Sequence, residues 1–256
     1  MVCLPGRPIA TFPASRAEPA IDPRVNLTFA SYNIHKAVGL DRRRDPERIL
    51  AVLREIDADI IALQEADRRF GNRTSVLPRQ MIDDHTPWRA VPLQSRPDSI
   101  GWHGNALLVR RGIEVLLAEP IRLPTLEPRG AICADLRIAG QPLRVVGLHL
   151  DLSGLRRRRQ LRAVFEHLAA SGAPCPAVLM GDFNQWSHLR GAMREIGPGW
   201  QTITPGNSFP TRQPVAALDR IVASRHWLCI EKGVHHSSLA ARASDHLPIF
   251  ARLSIA

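Results

Sequence analysis

Apolar residues along the chain fall into short runs broken by polar, glycine or proline positions. Val25 to Tyr32 is partly alternating and rich in strand-favouring side chains, which predicts a first strand running directly into Asn33. Asp45 offers a helix N-cap and Pro46 a first helical position; Ile49, Leu53 and Ile56 then recur at helical spacing, which predicts a helix through Glu55. A second strand is expected over Asp59 to Leu63, delivering Gln64 and Glu65 at its end.

Between Gly104 and Leu150 the runs NALLV, IEVLLA, AICADLRI and LRVVGLHL are separated by Gly, Pro and Arg turns, so strands dominate the middle of the chain. Leu155 to Ala170 predicts an amphipathic helix with Leu161, Val164, Phe165 and Leu168 facing inward and the Arg156 to Arg159 run facing water. The apolar run Ala177 to Met180 ends at Gly181-Asp182, and further strands are expected around Leu218 to Val222, Trp227 to Lys232 and Pro248 to Leu253. Polar residues thus stand where apolar strands give way to loops, positions that can converge on one site at the rim of a sheet.

No repeat, low-complexity tract or linker divides the sequence, and 256 residues that are 45% hydrophobic can bury a sizeable core. One domain is expected over residues 26–256. Residues 1–25 alternate Pro, Arg and small residues without a signal-peptide apolar core and read as a disordered extension. No run is long enough for a membrane span. Cys3, Cys133, Cys175 and Cys229 lie far apart with no C-x-x-C pair, which argues against a zinc site or a disulfide scaffold and for reduced thiols in the cytoplasm.

Basic residues outnumber acidic ones by 34 to 24, a net charge of +10 that suits polyanions, whether nucleic acid or an anionic membrane surface at which the protein would sit peripherally. Nearly all of this charge is arginine, a bias that genome composition also produces. Aromatics are only 5% of the chain, which weakens the case for sequence-independent single-strand binding by base stacking.

The candidate chemistry lies in SYN at Asn33, LQE at Glu65, GNALLV at Asn105, GLHL at His149, GDFN at Asp182 and Asn184, LDRI at Asp219, and SDHLP at Asp245 and His246. Each has a plain structural reading: Glu65 alone reads as a solvated carboxylate, and GDFN as turn chemistry. His35, His103, His188, His235 and His236 read as surface or packing histidines, with His103 beside the expected cleft. Arg42, Arg43 and Arg44 are equally consistent with a phosphate contact and with a solvated charge run.

Taken together and in this order, from Asn33 to Pro248, the motifs resemble the endonuclease/exonuclease/phosphatase superfamily, in particular its small bacterial members. The resemblance implies an α/β (α+β) fold of the DNase I-like type, a four-layer αββα sandwich of two mixed sheets flanked by helices. It also implies hydrolysis of a phosphate ester assisted by Mg²⁺ or Mn²⁺. Such a metal takes hard oxygen ligands and keeps several waters, for which Glu65 with Asn33 and Asp245 are the candidates.

In that superfamily the residue matching Asp182 orients or deprotonates the attacking water, and the amide matching Asn184 donates to a phosphate oxygen. The residue matching His246 contacts the phosphate or acts as base, with Asp219 accepting from it and fixing its tautomer. His149 matches a histidine that protonates the leaving oxygen or holds the phosphate, and Asn105 is expected to contribute a hydrogen bond to the site. Whether Asp182 or His246 is the base stays open at this point.

A monomeric phosphodiesterase acting on nucleic acid or a phospholipid headgroup is the leading expectation, because every motif position carries a competent residue. A phosphomonoesterase of a small or inositol-like substrate, or a silent polyanion-binding protein, is the alternative. Loops set the substrate in this superfamily, so the motifs leave it open.

Overall fold

The computed structural model describes residues 25–68, 74–93, 98–125, 129–172 and 174–255; the expected N-terminal extension lies outside the described residues. Two strands, β1 (Asn26–Asn33) and β2 (Ile60–Gln64), run parallel and are joined by helix α1 (Pro46–Ile56). The helix begins where the sequence predicts, with the Arg48 amide donating to Asp45 Oδ1 at 3.0 Å. It ends at a left-handed Asp57 whose amide donates back to Leu53 O. Its apolar stripe of Ile49, Leu50, Val52 and Leu53 is buried.

The chain continues through α2 (Arg79–His85), β3 (Trp88–Ala90), β4 (Ala106–Arg110), β5 (Glu114–Ile121), β6 (Gly130–Ile138) and β7 (Gln141–His149). Then follow α3 (Gly154–Ala170), β8 (Ala177–Asp182), β9 (Trp200–Ile203), β10 (Asp219–Ser224), β11 (Trp227–Val234), α4 (Ala240–Ala243) and β12 (Ile249–Ile255). Four of these pieces, α2, β3, β9 and α4, have no counterpart among the predicted elements. They span seven, three, four and four residues, too few for a period to show.

One sheet has the order β11-β12-β1-β2-β4-β3 and the other β5-β6-β7-β8-β10-β9. In each, the central pair is parallel and bridged by a helix, and the other neighbours are antiparallel. The sheets share a ladder pattern although the sequence carries no repeat.

Alternation along the strands builds the layers. Leu27, Phe29, Ile60 and Ala62 of the first sheet meet Val145, Val178, Met180 and Ile221 of the second in a central core. Ala30, Tyr32, Ile61 and Leu63 point the other way and bury α1, α2 and α4. Val146, Leu148 and Leu179 cover α3 with Leu161 and Val164. The result is the expected four-layer sandwich. At Gly147 a Cβ would lie 2.9 Å from Leu107 Cδ2 of the facing sheet, so the close approach of the layers requires a residue without one.

The arginine run on α3 is not the free solvated face that the periodicity predicts. Arg157 lies on the same stripe as Gln160, Leu161 and Val164, so it turns toward the protein, its Nη1 donating to Asp151 O at 3.2 Å and its Nε to Gln185 Oε1 at 3.2 Å. Arg156 Nη1 lies 3.6 Å from Asp151 Oδ2, and Arg158 and Arg162 both pair with Glu195.

Candidate active site

Register explains why residues so distant in sequence meet. Asn33 pairs with Gln64 at the ends of the parallel β1 and β2, and His149 pairs with Asp182 at the ends of the parallel β7 and β8. Antiparallel β10 begins at the same rim, with Asp219 opposite Asp182, and the turn carrying Asp245 and His246 leads into β12, antiparallel to β1. One edge of the sandwich therefore collects the polar end of each motif strand. Gly181 is needed for this: its φ is +156°, and a Cβ would sit 1.9 Å from Leu148 O on the neighbouring strand.

Asp182 is the centre. Its Oδ2 accepts from Asn33 Nδ2 at 3.2 Å and lies 3.3 Å from His149 Nε2 and 3.8 Å from His246 Nε2, while Oδ1 accepts from the Asn184 amide at 2.8 Å. Burial by itself would raise the carboxyl's pKa, but the hydrogen bond and charge of His149, with His246 and the Asn184 amide, hold it well below the usual carboxylate range.

His246 and Asp219 form a buried pair, Nδ1 to Oδ2 at 2.8 Å. Ser208 Oγ donates to the same Oδ2 at 2.5 Å, and the Phe209 ring lies 4.8 Å from the imidazole. Burial works against an imidazolium, yet Asp219 and then Asp182 outweigh it and raise His246 from 6.5 to about 10. Burial pushes the Asp219 carboxyl upward, against the opposing pull of the His246 charge and hydrogen bond.

Glu65 stands on the other flank, in a left-handed conformation at φ 56°, and its carboxylate pairs with the Lys36 ammonium. Burial opposes ionisation there, and His149, Lys36 and Arg129 together lower its pKa below the ordinary value. The short turn that presents Lys36 also presents His35, whose Nδ1 is 3.9 Å from Asp245 Oδ1, so Glu65 and Asp245 lie on either side of one turn. Arg44 donates through Nε to the Lys36 carbonyl at 3.1 Å and braces that turn.

Asn105 uses Nδ2 to tie β4 to β6, donating to Trp102 O at 3.3 Å and Gly130 O at 3.1 Å, while its buried Oδ1 has no partner among the described residues. Asn184 donates one amide hydrogen to Leu150 O at 2.9 Å, leaving the other for a ligand. His235 pairs with Glu55 at 2.8 Å and His188 and His236 are exposed, in keeping with surface histidines; the His103 ring packs edge-on against Trp102.

Two further site residues, Lys36 and Arg129, lie outside the sequence-predicted set. Arg129 precedes β6, whose first residue pairs with His149, and its Nη1 donates to the imidazole, 2.8 Å from Nδ1 and in contact with Nε2. Both belong to ordinary-looking turns, and only strand pairing brings them to the rim.

The donor set fits a hard divalent cation at Glu65, an ionised carboxylate, with the Asn33 carbonyl oxygen beside the same rim. Asp182, Asp219 and His246 also offer atoms within 4.8 Å of one another. That group contains an imidazole engaged on both sides by carboxylates, a geometry for moving a proton more than for holding Mg²⁺.

A family model described as Endonuclease/Exonuclease/phosphatase family matches residues 30–246. Uncharacterized protein YbhP of Escherichia coli (strain K12) is 25% identical over 245 residues, covering 87% of this chain and 94% of that protein. An endonuclease/exonuclease/phosphatase structure from Bacteroides vulgatus superposes with a TM-score of 0.72 at 16% identity, covering 91% of this chain and 100% of the other. D. rerio TDP2 complexed with single strand DNA product gives 0.70 at 17% identity, with 89% and 98% covered. At such identities the structures show a shared fold. No helix among the described residues is long and apolar enough to cross a membrane.

Proposed function

The chain belongs to the endonuclease/exonuclease/phosphatase family, whose members are phosphoesterase hydrolases, and from that premise we propose that it is a divalent-metal-dependent phosphodiesterase working by in-line attack of water. The observation that carries this reading is the buried Asp182 carboxylate flanked by two imidazoles, His149 Nε2 at 3.3 Å and His246 Nε2 at 3.8 Å. The neighbour holding a single strand DNA product suits a diester and a mannosyl-6-phosphatase of like similarity suits a monoester, and the assay below separates the two.

Asp182, held as the anion, accepts the proton of the attacking water while the water oxygen bonds to phosphorus and the bond to the leaving oxygen breaks. His246, held protonated by Asp219 and Asp182, hydrogen-bonds a phosphoryl oxygen, and the free hydrogen of Asn184 Nδ2 serves another. This division of labour assigns the base role to Asp182, because an imidazolium has no lone pair to take a proton. His149 and Arg129 form the opposite wall, two adjacent donors for the charge that gathers on the phosphoryl group. Glu65 and the Asn33 side-chain carbonyl oxygen, with Asp245 across the turn, would hold the divalent cation, which would supply Lewis-acid polarisation to the phosphoryl group.

Hydrolysis of bis-p-nitrophenyl phosphate and p-nitrophenyl phosphate with Mg²⁺, Mn²⁺ or EDTA tests the reading. Diester turnover that EDTA abolishes is expected, together with weaker calorimetric Mg²⁺ binding by Glu65→Gln. Unchanged turnover by metal-stripped protein would overturn the metal requirement, and turnover confined to the monoester would overturn the diester.

A further inference from the structure

The loop that follows the GDFN turn presents large apolar side chains to solvent. Trp186 is 63% exposed and Leu189 83%, and on the neighbouring segment and the first turn of α3, Leu152 is 66% and Leu155 61% exposed. Isolated exposed leucines are ordinary, but four large apolar residues on two adjoining segments at the rim of a cleft are not.

The segments adjoin because Arg157 bridges them. It donates to Gln185 Oε1 on one and to the Asp151 and Leu152 carbonyls on the other. Behind them, Ala192 and Met193 pack with Leu161 and Val164 of α3.

Nor is the exposure that of a slack loop. Arg220, fully buried in β10, donates through Nη2 to the Gln185 and Ser187 carbonyls. Ser187 Oγ accepts from the Arg190 amide at 3.0 Å. The backbone is pinned from inside, and it is the apolar side chains that turn out.

Cations lie beside the patch: Arg159 and Arg190 are exposed, and Arg156 and Arg158 stand next to them with their charge shared with Asp151 and Glu195, within a chain of net charge +10. An exposed aromatic with aliphatic neighbours flanked by arginines is the composition by which interfacial segments enter the headgroup layer of an anionic bilayer. Single-stranded nucleic acid would use the tryptophan and the arginines but gains little from three leucines, because stacking needs ring faces.

We propose that Leu152, Leu155, Trp186 and Leu189 form a docking patch for an anionic phospholipid bilayer. The patch adjoins Asp182 and Asn184 in the chain, so docking brings the catalytic rim to the level of headgroup phosphates. The consequence that the substrate is a lipid phosphoester rests on the hydrolytic reading above; the docking itself does not.

Sedimentation of the full chain with vesicles of phosphatidylcholine alone, or with phosphatidylglycerol added, tests docking without reference to activity. Binding is expected only with the anionic lipid. Trp186→Ala/Leu189→Ala should weaken it by at least about tenfold, the scale for withholding two apolar side chains that only partly enter the interface. The same variant should hydrolyse a water-soluble p-nitrophenyl diester at the wild-type rate, and its urea midpoint should match wild type because both side chains already face solvent.

Absence of vesicle binding by the wild type, or equal binding by the variant, would overturn the proposal. So would Trp186-dependent binding of a single-stranded oligonucleotide in place of vesicles. A protein that docks as described yet hydrolyses no ester would refute the enzymatic reading and leave the docking patch standing.

Discussion

Asn33 of β1 donates through Nδ2 to Asp182 Oδ2 of β8 across 3.2 Å, a hydrogen bond that joins the two sheets at the rim of the candidate site. Asn33 Oδ1 meanwhile accepts from the His35 amide at 3.2 Å, so one amide fixes both the Asp182 carboxylate and the turn that carries Lys36. Asn33→Ala should lower kcat/KM by about 10²-fold, and Asn33→Asp should do more harm at neutral pH by placing a second carboxylate against the first. Like charge raises the Asp182 pKa, so the acid limb of the Asn33→Asp pH-rate profile should move to higher pH. A profile parallel to that of Asn33→Ala would refute the electrostatic account.

Asp219 acts through His246, because its Oδ2 is 2.8 Å from Nδ1 and, among the described residues, its other donor is Ser208. Asp219→Ala and His246→Ala should each slow turnover by about 10²- to 10⁴-fold. The double variant should be little slower than the worse single one, since the two residues work as a unit. A loss equal to the product of the single losses would show that they act independently.

Stability should depend on pH through His246. A group whose folded pKa is raised, here from 6.5 to about 10, stabilises the fold fully below the lower value and loses that contribution as pH climbs toward the upper one. In EDTA, the urea midpoint of the wild type should therefore fall between pH 6.5 and about 10. His246→Gln should be flatter across that window. Asp182 has the opposite sign: its lowered pKa contributes above the ordinary 3.8 and is lost in acid. A wild-type midpoint that stays level up to pH 10, or one that falls equally in His246→Gln, would contradict the assignment.

Arg129 decides what His149 does. With Nδ1 taken up by the Arg129 guanidinium, the hydrogen His149 has to offer is at Nε2, beside Asp182 Oδ2 at 3.3 Å, which favours a charge-holding role over protonation of the leaving oxygen. His149→Ala should therefore slow an alkyl diester and a p-nitrophenyl diester by similar factors, about 10²-fold, and Arg129→Ala should do the same. A much larger loss on the alkyl ester after His149→Ala would restore the proton-donor role, because only a poor leaving group needs the proton.

Much of this was legible in the sequence because its causes are local. The Asp45 cap and Pro46 set the start of α1, and alternation along Leu27 to Tyr32 and Ile60 to Leu63 fixed which side chains face the facing sheet and which face the helices. The motif residues could be named because each ends or begins a strand and together they match a family pattern.

What the sequence could not carry is anything created by pairing between distant segments. Only strand register sets Asp219 and His149 on either side of Asp182, and only the meeting of the two sheets lets Asn33 reach it. Arg129 and Lys36 have no local pattern to mark them, and Arg157 belonged to a charge run that looked solvated until the inner stripe of α3 was placed. The reason is physical: a hydrophobic period records which face of an element avoids water, whereas a site is made of polar side chains whose partners lie far away in the chain, as Glu65 and Lys36 at a separation of 29 and Asn33 and Asp182 at 149 illustrate.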